Sequence, residues 1–75
     1  MNDRHYKDYI QIGLNIMRYR KEQGLTQEQL ADMTGYTRNH FQRVETANSK
    51  PLVGLILEVS KALRVPVEQL MKTKP

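Results

Sequence analysis

Between Thr37 and Thr46 the chain carries Arg38, Asn39, Gln42 and Arg43 in a short stretch that reads as a helix. At about 100° per residue, Phe41, Val44 and Glu45 cluster on one side and those four residues, with Thr46, occupy the other. The outer face therefore presents two guanidinium forks and two carboxamides. Arg can form paired hydrogen bonds to guanine O6 and N7, and Asn or Gln to adenine N6 and N7. No carboxylate interrupts this face, so a phosphate would meet no like charge there. Any surface helix is polar outside, however, so the face gains meaning only from what positions it.

What precedes it is a second short helix and a tight turn. Thr26 reads as an N-cap, with Gln29 three residues on completing a capping box. The helix runs from 27 to about 33 and buries Leu30 and Ala31. Thr34, Gly35 and Tyr36 form the turn, where glycine adopts a positive φ without steric cost. Thr37 then caps the helix 37–46. Two short helices joined in this way outline a helix-turn-helix over residues 26–46, a device that lays its second helix in the major groove of DNA.

The flanking sequence predicts three further helices, giving an all-α, five-helix chain. The first spans about 6–22, with Tyr9, Ile12, Ile16, Tyr19 and Gln23 on one stripe, Gly13 and Arg20 along its edge, and Gly24 ending it. After the polar connector 47–50, Pro51 suits the first turn of a fourth helix, with Val53, Ile56, Val59, Ser60 and Leu63 as its buried stripe. Pro66 opens a short fifth helix with Val67 and Leu70 inward. Residues 1–4 and 73–75 read as frayed ends, leaving an ordered core of about 6–72.

Size and charge narrow the partners. Seventy-five residues make one domain with a modest core. There is no cysteine, hence no disulfide and no thiolate zinc site. No run of apolar residues is long enough to span a membrane, and no secretory leader is evident, so a cytoplasmic protein is expected. Twelve Lys and Arg against eight Asp and Glu give a net charge of +4, which favours a polyanionic partner.

With these residues in view, the chain resembles the Cro/CI-type (Xre-like) helix-turn-helix regulators over about 12–70. The resemblance rests on Ile12-Gly13 and Ile16 leading to Arg20, then Gly24-Leu25-Thr26-Gln27 followed by Leu30-Ala31, with Gly35 in the turn. Thr37, Phe41, Val44-Glu45, Pro51 and Ala62-Leu63 to Val65 continue the match. It implies a lambda-repressor-like domain acting as a sequence-specific transcriptional regulator of bacterial or phage origin, commonly a repressor, bound to a palindromic operator as a dimer. Residue by residue, it implies base contacts from Arg38, Asn39, Gln42 and Arg43. Gln27, Thr37, Asn48, Ser49 and Lys50 would contact the DNA backbone, and His40 flanks the helix within reach of a phosphate. Arg20 and Glu45 would form a partly buried ion pair holding the first helix against the third. Thr34 departs from the family's apolar residue, so a loosely packed turn is expected; Arg64 replaces the usual glycine after the fourth helix.

Other chemistries fit less well. His5 and His40, on a chain end and a helix, do not make a metal site. No nucleophile has a base beside it and no glycine-rich loop follows a strand, so neither an enzyme nor a cofactor is expected. Four tyrosines are spread over different faces, against a stacking platform for single strands. Leu52 and Leu55, with Met71, form a candidate apolar dimer surface. The same leucines motivate the rival reading, an antitoxin-like module that binds a partner protein and DNA only secondarily. With no second domain expected, no small-molecule ligand is evident, and control would fall to abundance, proteolysis or a partner.

Overall fold

A computed structural model describes residues 4–73. Five helices follow in order, α1 Tyr6–Glu22, α2 Gln27–Thr34, α3 Arg38–Glu45, α4 Val53–Leu63 and α5 Val67–Leu70, with no strand among the described residues. The ends expected to fray fall largely on 1–3 and 74–75, outside the described residues.

Local chemistry sets the helix boundaries. At α1, Gly24 takes φ 70°, and the Leu25 and Gly24 amides donate back to the Arg20 and Lys21 carbonyls, closing the helix with a left-handed cap. At α2, Thr26 Oγ1 accepts from the Gln29 amide at 3.0 Å while Gln29 Oε1 accepts from the Thr26 amide at 2.8 Å. Gly35 ends α2 at φ 80°. Thr37 Oγ1 then accepts from the His40 amide at 3.1 Å to start α3. Two later helices end on left-handed residues that are not glycine, Ala47 (φ 62°) and Arg64 (φ 57°).

The core joins all five elements. Ile12 and Ile16 of α1 meet Leu30 and Ala31 of α2, Phe41 and Val44 of α3, four residues of α4, then Val65 and Leu70. Gly13 is the close-approach position between α1 and α3: a Cβ there would overlap the Val44 carbonyl oxygen.

The face of α4 differs from expectation. Leu55, Ile56, Val59 and Leu63 are buried, whereas Val53 is 73% exposed. Pro51 lies before the N-cap residue Leu52 rather than within the first turn. From 52 to 57 every residue except Gly54 is apolar, so the pattern cannot choose a face, and packing against α2 and α5 does. Leu55 is thus a core residue and is withdrawn from the candidate dimer surface. The apolar exposure belongs instead to Leu52, Val53 and Leu57.

The turn is not loose. Thr34 is buried and its hydroxyl donates to the Leu30 carbonyl at 2.9 Å, a back-bond that satisfies a polar side chain where an apolar one would pack. Asn15, a polar residue that the helix pattern does not single out, is also buried. Its Nδ2 donates to the Leu70 carbonyl at 2.9 Å and the Lys72 carbonyl at 2.8 Å, and its Oδ1 accepts from Gln11 at 2.9 Å. These bonds tie the chain beyond α5 onto α1.

Candidate nucleic-acid interface

Only eight residues long, α3 is too short to persist as an isolated helix in water. It is held by its inner side. Phe41 and Val44 are fully buried, and Tyr36 from the turn meets Phe41 edge-on at 6.5 Å and His40 at 5.4 Å.

A charged clamp adds direction to this packing. Arg20 Nε donates to Glu45 Oε2 at 2.8 Å and a terminal guanidinium nitrogen donates to Oε1 at 2.9 Å, a two-point pairing that fixes the angle between the groups. The other terminal nitrogen reaches the Leu25 carbonyl at 2.6 Å. Gln27 Nε2 donates to Glu45 Oε1 at 3.0 Å. Glu45's side chain is 2% exposed and Arg20's 9%, so α1, α2 and α3 meet on one desolvated carboxylate. The tie from Gln27 was not legible in the chain, since eighteen residues separate the partners.

The opposite edge has the reverse character. Arg38, Asn39, Gln42 and Arg43 are all exposed, and none of their side chains bonds to another part of the protein among the described residues. The polar groups beneath them are all used, for no buried side-chain nitrogen or oxygen among the described residues lacks a partner. Between Asp32 and Glu58 the one carboxylate is Glu45, already neutralised by Arg20. The surface from the turn to α4 is therefore cationic, through Arg38, Arg43 and Lys50.

Of the residues expected at the DNA backbone, Thr37 and His40 lie at the start of α3, and Asn48, Ser49 and Lys50 follow its end. Thr37's hydroxyl is engaged as the α3 cap. His40 is half-buried against Tyr36. Gln27 stands at the first turn of α2, beside an open cleft of about 490 Å³ that Arg20, Thr26, Glu28 and Arg38 also line. One of its amide protons goes to Glu45, which leaves the second available. Just after α3, the Asn48 amide donates to the Arg43 carbonyl at 2.8 Å and its side chain donates to Thr46 Oγ1 at 3.0 Å. Ser49 is half-buried, and Lys50 places its ammonium 5.8 Å from the Tyr9 ring centre. The connector is thus a folded cap rather than a free tether. Leu52 and Met71 are 51% and 43% exposed, whereas their supposed neighbour Leu55 is inaccessible. The leucine pair behind the antitoxin-like reading is accordingly not a shared surface.

The sequence model of the Helix-turn-helix family matches residues 16–70, which run from the core of α1 to the end of α5. The chain belongs to the Cro/CI-type (Xre-like) helix-turn-helix regulators. It is accordingly a DNA-binding transcriptional regulator, a class distinct from enzymes. Within the family it is 33% identical over 54 residues to the uncharacterized HTH-type transcriptional regulator y4dJ of Sinorhizobium fredii, covering 72% of this chain and 70% of that one. Among solved structures it is similar to the restriction-modification controller protein C.AhdI from Aeromonas hydrophila, with a TM-score of 0.84 and 29% identity over 91% of this chain and 99% of that one. The hypothetical transcription factor NHTF from Neisseria superposes with a TM-score of 0.80 at 26% identity, covering 85% and 74%. The clp gene regulator ClgR from C. glutamicum shares the fold, with a TM-score of 0.79 at 19% identity over 84% and 82%. Among the described residues, no helix is long and apolar enough to cross a membrane, and no group of three His, Cys, Asp or Glu is placed to hold a metal ion.

Proposed function

We propose that this regulator is a repressor that binds a palindromic operator as a homodimer, with α3 of each protomer in a major groove. The observation that carries the reading is the contrast across α3. Its inner polar groups are fully committed, while Arg38, Asn39, Gln42 and Arg43 stand exposed with no internal partner. Side chains that make no bond within the protein cost the fold nothing when they turn to base edges. Gln27, Thr37, His40, Asn48, Ser49 and Lys50 would meet the phosphates on either flank, fixing register without reading sequence. Gln27 would use its second amide proton, beside the positive N-terminal end of α2.

The dimer surface is assigned to Leu52, Val53, Leu57 and Met71, which are 51%, 73%, 45% and 43% exposed. Val53 and Leu57 lie one turn apart on the outer side of α4. Likeness over nearly the full length of a restriction-modification controller supports a compact gene-control role, exercised on DNA in a bacterial or phage-infected cytoplasm.

Selection of duplexes from a random pool tests the reading. The expected product is a palindrome whose half-sites lie about 34 Å apart along the duplex, one helical turn. A single asymmetric site would refute the dimer, and the absence of any preferred sequence would refute base reading by α3. The sign of regulation is read by placing the selected site over a reporter promoter: repression is expected, and activation would overturn that part.

A further inference from the structure

We propose that the outer stripe of α1 is a docking surface for an acidic amphipathic helix of a partner protein. Tyr6, Ile10 and Leu14 recur every fourth residue and are 42%, 38% and 41% exposed. Half-buried Met17 extends the line. Residues at this spacing stack on one face, and the three span about 12 Å of helix axis, a length over which a second helix can seat ridge-into-groove. The stripe is not the back of the core, which α1 serves through Ile12 and Ile16. It also lies on a different helix from both the base-reading edge and the apolar start of α4.

Charge selects the occupant. Lys7 and Lys21 border the stripe, both exposed, and neither is ion-paired among the described residues. The acids of α1 lie off the stripe and are engaged: Asp8 is 3.2 Å from His5 and Glu22 is 3.7 Å from Arg18. An apolar ridge edged by lysines complements a helix with leucines on one face and carboxylates beside them. A second copy fits worse, because crossing two α1 helices about a two-fold axis brings lysines toward lysines, and like charges across a contact reject the partner.

The test uses the full chain and two synthetic peptides of about four helical turns, each with leucines on one face and flanked by either glutamates or lysines. Fluorescence anisotropy should show the glutamate peptide binding at least about tenfold tighter than the lysine peptide. Amide shifts should centre on residues 10, 14 and 17 and persist when random-sequence duplex saturates the protein. Leu14→Glu should abolish binding while leaving duplex affinity unchanged, and Lys7→Glu with Lys21→Glu should reverse the preference to the lysine peptide. Equal affinity for both peptides, shifts centred on α3 or α4, or displacement of the peptide by duplex would overturn the proposal. So would self-association that Leu14→Glu abolishes, or preferential binding to anionic phosphatidylglycerol vesicles.

Discussion

Replacing Arg20 with alanine should remove a large share of this protein's stability. Glu45, 2% exposed at its side chain, receives two hydrogen bonds from the guanidinium and one from Gln27. Arg20→Ala leaves that carboxylate buried with the single amide at 3.0 Å and removes the donor to the Leu25 carbonyl. Stranding one member of a buried pair costs about 3–5 kcal/mol. Seventy-five residues at about 0.05–0.15 kcal/mol each give a total of about 4–11 kcal/mol, so about a quarter or more of the whole is at stake. The pair itself is a different quantity, because attraction and desolvation nearly offset. Arg20→Met combined with Glu45→Met removes both charges at similar volume and should return to within about 1–2 kcal/mol of the parent, the residue being the Leu25 carbonyl and Gln27 amide left without partners. Urea unfolding followed by helical circular dichroism measures both variants and yields the coupling. If Arg20→Ala costs under about 1 kcal/mol, or if the double variant is no more stable than the single, the clamp is not the dry ion pair argued here.

Other substitutions separate the remaining parts of the argument. Arg38→Ala or Arg43→Ala should weaken the preferred duplex by about 1–3 kcal/mol and random duplex much less; titrations showing equal losses would make that residue a phosphate contact. Lys50→Ala should weaken all duplexes alike and flatten the dependence of log affinity on log salt by about 0.9, whereas loss at one base position would contradict a backbone role. Ala47→Gly should raise stability by about 0.5–1 kcal/mol, since a left-handed alanine costs about 1–2 kcal/mol and glycine's extra freedom when unfolded returns part of that; a lowered urea midpoint would refute strain at that cap. Gly13→Ala should destabilise by about 1–3 kcal/mol or more as α1 is pushed off α3, and a neutral result would contradict their close approach.

How far the chain disclosed its own structure depended on the range of each interaction. Thr26 with Gln29, Gly35, and Thr37 with the His40 amide act within a few residues, so the helix-turn-helix was readable from spacing alone. Arg20 and Glu45 stood on the inner edges of their stripes, and only the family resemblance joined them across 25 residues. Asn15 was missed because the carbonyls that hold it come 55 and 57 residues later, and no local pattern marks a carbonyl. On α4 the difficulty was excess rather than lack of signal. Val53 with Ile56 and Leu55 with Val59 are equally good apolar stripes in a segment apolar almost throughout. Only the surface offered by α2 and α5 distinguishes them. The side chains on the outer edge of α3 were recognisable by type, but their freedom from internal bonds is a property of the folded chain.

That freedom depends on the clamp beneath it. An eight-residue helix is maintained by Phe41, Val44 and the Arg20–Glu45–Gln27 cluster rather than by its own hydrogen bonds. Phosphate attraction tolerates displacement, because Coulomb energy changes slowly with distance, whereas a two-point hydrogen bond to a base weakens steeply with misalignment. Loosening α3 should therefore erode discrimination between duplexes before it erodes affinity for DNA in general. The Arg20→Met, Glu45→Met double variant isolates this effect, being folded and apolar where the parent is clamped. Its preferred-to-random affinity ratio should fall several-fold while its binding to random duplex holds. An unchanged ratio would mean that Phe41 and Val44 alone set the angle of the reading edge.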